Sequence, residues 1–141
     1  MEHIAIMKKS WKLTQKILSG EKKIESRWYN QRRAPFGGIK EGEIVYFKDS
    51  GEPVAIRAEV EKVLQFSGLT SEKVKEILEE YGKEICIKNI VESFERYRHK
   101  KYCLLIFLKN PQKIEPFRIN KKGFGMMSAW ISVDRISDIR L

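Results

Sequence analysis

Residues 20–27, Gly-Glu-Lys-Lys-Ile-Glu-Ser-Arg, require a helix to stop on a glycine and hand over at once to a strand. Gly20 can take the left-handed conformation that closes a helix without steric cost. Upstream, Leu13, Ile17 and Leu18 recur at helical spacing with lysines between them, and Ser10 is placed to cap that helix. Downstream, residues 23–28 read as a strand, with Ile24 and Trp28 on one face and Glu25 and Arg27 on the other. The pattern is G-x-K-x-x-E-x-R, and it gathers Lys22, Glu25 and Arg27 onto one small surface. Two cations around a carboxylate can grip a phosphate, read a base edge or move a proton. They can equally form a strand ion pair beside a solvated turn lysine, worth about 0–1 kcal/mol if exposed.

The remaining pattern constrains the architecture. His3–Met7 is a short apolar strand. Residues 30–40 form a loop that holds Arg32, Arg33, Pro35 and a glycine pair. Ile44–Phe47 and Val54–Val63 are strands joined through a hairpin signal, Asp49-Ser50-Gly51. Thr70 caps a helix whose stripe is Val74, Ile77, Leu78 and Tyr81, and Gly82 follows that stripe. Asn89–Arg98 is a shorter helix that buries Ile90, Phe94 and Tyr97 and runs into a basic cluster, Arg96 to Lys101. Cations favour helix C-termini, so this cluster is a secondary contact at most. Tyr102–Lys109 is a buried strand, Asn110-Pro111 a turn, and Ile114–Ile119 an edge strand, since Pro116 cannot donate to a ladder. Met126–Val133 is apolar, with Met126, Met127 and Trp130 assigned to packing.

A strand, a helix and then several strands with inserted helices do not fit parallel βαβ repeats. They predict an α+β fold. It is a small, mostly antiparallel barrel of about five or six strands, closed or nearly so, with helices packed at its ends. At 141 residues the chain reads as one domain, 1–141, able to bury roughly 68–70% of its unfolded surface.

Composition narrows the partner. Twenty-eight Lys and Arg stand against 19 Asp and Glu, a net charge of +9, which suits a polyanion such as nucleic acid. A hydrophobic fraction of 42% argues against disorder. No apolar run approaches the ~18 residues of a membrane helix, and the N-terminus lacks a signal-peptide pattern, so a cytoplasmic location without membrane contact is expected. Cys86, Cys103, His3 and His99 lack the spacing of a zinc site or a disulfide framework. No metal and no cofactor are expected.

The signature and its surroundings resemble the ASCH domain (activating-signal-cointegrator homology) of the PUA-like superfamily. Lys12–Arg27 is similar to that family's first helix, turn and second strand. Lys40–Val45 is similar to the turn into its third strand, Ala55–Val63 to the strand after that, and Ala129-Trp130-Ile131 to a closing segment of some members. The resemblance implies a β-barrel with a cleft beside the signature and a role in binding RNA or a nucleotide. Lys22, Arg27, Arg32 and Arg33 would then contact phosphate, Glu25 would orient Arg27 or accept from a base, and Tyr29 would stack. It also implies an alternative. One branch removes the acetyl group of N4-acetylcytidine with a lysine at the position of Lys22 and a threonine where this chain has Glu25, and ribonuclease activity is proposed for other relatives. In that reading Lys22 is base or nucleophile and Glu25 shuttles the proton. A third reading is an adaptor whose cleft takes a protein or a small ligand.

Overall fold

The computed structural model describes residues 1–125 and 127–141. The elements are β1 (Glu2–Met7), α1 (Leu13–Ser19), β2 (Ile24–Tyr29), β3 (Ile44–Asp49), β4 (Val54–Phe66), α2 (Ser71–Ile85), α3 (Ile90–Tyr97), β5 (Tyr102–Phe117) and β6 (Trp130–Val133). The six strands form one sheet in the order β2-β5-β4-β3-β1-β6. All its pairings are antiparallel except that of β1 with β3. The fold is therefore α+β and mostly antiparallel, as the pattern predicts, but the sheet is a half-barrel. Strands β2 and β6 stand at its two ends, and among the described residues no ladder joins them.

Period-two alternation divides the core. One face carries Ala5, Met7, Val45, Phe47, Leu104, Ile106 and Trp130, and Ile17 of α1 packs into it. On the other face, Ile24, Trp28, Cys103 and Leu105 lie under α2, with Phe94 and Tyr97 of α3 against the same cluster. At the β1–β6 end, Ile4, Ile131, Val133 and Phe117 make a third cluster.

Local chemistry explains most element ends. Thr70 Oγ1 accepts from the Lys73 N–H at 3.2 Å and Asn89 Oδ1 from the Glu92 N–H at 3.1 Å, so both helices start on a side-chain cap. Three boundaries depart from the sequence reading. Ser10 caps nothing: residues 9–11 make a 3-10 turn, and Lys12, left-handed at φ 56°, precedes α1. Helix α2 continues through Gly82 to Ile85 and ends on Cys86 at φ 71°. Gly82 is an ordinary helical residue there: a Cβ would meet the Ile87 side chain at 3.7 Å, a normal packing distance.

The third departure is at Asn110-Pro111, which is a bulge and not a turn. Arg57 pairs with Gln112 and Glu59 with Lys109, so Asn110 and Pro111 together stand opposite Ala58 and β5 carries one extra residue. Asn110 takes φ 51° and its amide donates to Glu59 at 2.6 Å. The 13-residue β4 offers a continuous template, and β5 follows it without reversing. Beyond Phe107, β5 has left β2 behind, and Pro116 lies in that one-sided stretch. Met127 is 95% exposed, because β6 begins only at Trp130; Met126 lies outside the described residues. No helix among the described residues is long and apolar enough to cross a membrane.

Candidate functional site

Gly20 closes α1 at φ 84°, its N–H bonded to the Ile17 carbonyl at 3.1 Å. The chain then enters β2 beside β5, with Glu25 opposite Ile106 and Arg27 opposite Leu104. This register puts both charged side chains on the α1 face of the sheet, among apolar neighbours. Glu25 is 4% exposed and Lys22 only 3%. The Lys22 ammonium donates to the Ile85 carbonyl at 2.7 Å and lies 3.4 Å from Glu25 Oε1. Arg27 Nη2 donates to Glu25 Oε2 at 2.9 Å. Burial by itself would raise the Glu25 carboxyl, but Arg27 and Lys22 outweigh it and hold the group below its ordinary range.

The trio is thus brought together as the sequence implies, but it is not open to solvent as a phosphate grip would be. Lys22 is turned inward because Ile85 ends α2. The last carbonyls of a helix lack intrahelical donors and carry its negative pole, and the Lys22 ammonium meets both needs. Arg27 crosses the open side of the half-barrel. Its Nη1 donates to the Ala129 carbonyl at 3.3 Å, and its guanidinium lies 5.2 Å from the centre of the Trp130 ring.

A second polar network adjoins Trp130, and sequence reasoning missed it. His3 is fully buried, with Nδ1 2.8 Å from Ser132 Oγ and Nε2 2.9 Å from Glu43 Oε1. Glu43 also accepts from the Lys40 N–H and from the terminal amino group. A carboxylate there assigns the ring proton to Nε2, so Nδ1 accepts from the Ser132 hydroxyl. Trp130 Nε1 in turn donates to Ser132 Oγ at 3.2 Å. The only local signal for this cluster is alternation, which puts His3 on the face of Ala5 and Met7. That β1 lies between β3 and β6 cannot be read from either segment alone.

Burial, the largest influence, lowers the His3 pKa from its ordinary 6.5, against the opposing pull of Glu43. The unfolded chain therefore binds a proton that the folded one resists, and stability falls as pH drops below about 6.5. The lowered carboxyls of Glu25 and Glu43 add a further loss at lower pH, of the same sign. Urea midpoints should fall between pH 7.5 and pH 5.5 in the natural chain and fall less in His3→Gln. A midpoint that does not move over that interval in the natural chain would contradict the burial of a neutral imidazole.

The loop after β2 makes the open surface. Tyr29 is half-buried, and the Arg33 guanidinium lies 5.4 Å from its ring centre. Burial raises the Tyr29 hydroxyl pKa, while Arg27 and Arg33 pull it down. A recess of about 370 Å³ is lined by Trp28, Tyr29, Asn30, Gln31, Arg33 and Lys100. Tyr29, Arg33 and one member of the second basic cluster therefore share one concavity. Arg32 points elsewhere, 5.4 Å from the Phe36 ring. Trp28 is 8% exposed and stacks on Tyr97, as its side of the strand implies. Among the described residues no group of three or more His, Cys, Asp and Glu side chains is placed to hold a metal ion.

Neither a family model nor a curated protein matches this chain. Solved structures do. The crystal structure of ASCH from Zymomonas mobilis aligns with a TM-score of 0.69 over 95% of this chain and 88% of its own, at 18% identity. Crystal structures of two single-site variants of that protein align at 0.71 over 97% of this chain, at 17% and 18% identity, covering 93% and 91% of theirs. With nearly the whole chain superposed and the strands in one mixed half-barrel, the chain shares the fold of that ASCH protein.

Proposed function

We propose that this protein binds single-stranded RNA, seating one nucleotide in the recess beside β2. The observation that carries this reading is the meeting of an aromatic ring with two cations from separate segments. Tyr29 lies under Arg33, and Lys100 reaches the same concavity from beyond α3. A base can lie against the Tyr29 ring while its flanking phosphates take Arg33 and Lys100. Arg32, exposed on the same loop, adds a contact to the neighbouring backbone. The net charge of +9 and the likeness in fold to an ASCH protein support the same class of partner.

The buried trio has a supporting part in this reading. Lys22 and Glu25 fix the start of β2 and Arg27 fixes its middle, so Tyr29 leaves the strand at a set position. The hydrolase alternative asks Lys22 and Glu25 to meet a substrate directly. Lys22 is committed to the Ile85 carbonyl, and Glu25 is held as a carboxylate between two cations, which is poor placement for a proton shuttle.

Phosphate contacts release counterions, so affinity should fall linearly on a log–log salt plot. Replacing Arg32, Arg33 and Lys100 together by Ala should flatten that slope by about 2 units, at roughly 0.7 per contact on a single strand. Titration of a labelled oligouridylate across a salt series measures it. An unaltered slope would remove the loop and Lys100 from the footprint, and salt-insensitive binding would favour the adaptor reading.

A further inference from the structure

Of the three tryptophans, Trp28 and Trp130 are 8% and 9% exposed, while Trp11 is 41% exposed. Removal from water normally draws so large a ring inside, yet Trp11 belongs to none of the three core clusters. Cations attend it instead. The Lys8 ammonium lies 5.3 Å from its ring centre and the Arg96 guanidinium 5.2 Å. Neither cation is in a salt bridge among the described residues, and the stretch Lys8-Lys9-Ser10-Trp11-Lys12 has no acidic residue. The 3-10 turn at residues 9–11 holds the ring on the surface.

Arg96 belongs to the last turn of α3. Its neighbour Tyr97 stacks on Trp28, which lines the recess, and Lys100 lines it too. The end of α3 therefore stands between Trp11 and the recess. Taking the RNA-binding reading as given, we infer that Trp11 is a second base-stacking platform for the same single strand, with Lys8 and Arg96 as its phosphate clamps. In the free protein the two cations rest on the π system of the indole. On binding they exchange that contact for phosphate oxygens while a base takes the ring, so no charge is left without a partner. Every base has a π face, and this platform should not discriminate sequence.

The test uses the full chain, an oligouridylate of about twelve nucleotides, and indole fluorescence; Trp11 is the exposed indole on which a base can stack, with Trp28 and Trp130 buried. The oligonucleotide should quench the emission saturably. Trp11→Phe should abolish most of the quenching and weaken binding by no more than about twofold. Trp11→Ala should weaken it about tenfold, the size of one lost stack. Quenching that survives undiminished in Trp11→Phe belongs to Trp28, which lines the recess, and would overturn the inference. So would oligonucleotide binding that is indifferent to Trp11→Ala, which leaves the recess reading standing. Absence of oligonucleotide binding by the natural chain would sink the RNA reading itself. An emission shift with anionic phospholipid vesicles but not with the oligonucleotide would reassign the ring to a membrane surface.

Discussion

Glu25→Ala should lower stability by about 3–5 kcal/mol, measured as a fall in the urea midpoint at neutral pH. The loss does not arise from the attraction of the pair alone. Lys22 and Arg27 side chains are 2% and 14% exposed, so removing the carboxylate strands two cations in a poorly solvated space with no other salt-bridge partner among the described residues. Lys22 retains the Ile85 carbonyl, but a neutral acceptor does not balance its charge. Adding Lys22→Met to Glu25→Ala should recover part of the loss, because one stranded charge goes with it. The coupling between the two sites should exceed 1 kcal/mol, the range of residues in one buried network. A single-variant cost under about 1 kcal/mol would mean that the trio behaves as an exposed pair.

Trp28→Ala should cost a similar amount, about 3–5 kcal/mol, by leaving a cavity between sheet and helix. The ring stacks on Tyr97 with centroids 4.6 Å apart and planes 9° from parallel, and its N–H donates to Ser26 Oγ at 3.2 Å. Helix α3 buries no residue fully, and Tyr97 and Phe94 are its attachments to the cluster under α2. Loss of Trp28 should therefore speed amide exchange across residues 90–97 more than across α2, which has five buried residues of its own. On the proposed RNA-binding reading, affinity for the oligonucleotide should fall as well, since Trp28 and Lys100 both line the recess. Uniform exchange in the two helices would show that α3 is held by contacts other than this stack.

What could be read from the chain follows the range of the interaction. Gly20, Thr70 and Asn89 act on groups within four residues, and each ends or starts its helix as the sequence implies. The faces of β2 follow from alternation alone, which puts Trp28 and Glu25 on opposite sides, where the structure has them. The sequence leaves Lys22 open between a solvated turn residue and a site residue, because its partner, the Ile85 carbonyl, lies 63 residues away and is created only when α2 packs beside the turn. The His3 network has the same character, drawing on β1, β6 and the turn before β3. Asn110-Pro111 shows a different failure. Its composition is that of a turn, but β4 opposite it is long enough to carry the strand onward, and pairing overrode local preference.

An incomplete barrel has a liability that a closed one lacks. Strand β2 ends the sheet and offers unpaired backbone to any other chain. Charges pointing inward from an end strand are one of the ways natural sheets resist such pairing. Glu25 and Arg27 occupy that position, with Lys22 at the start of the strand. If these charges discourage edge pairing here, a variant that replaces all three by apolar residues should keep its fold and self-associate, which sedimentation would show.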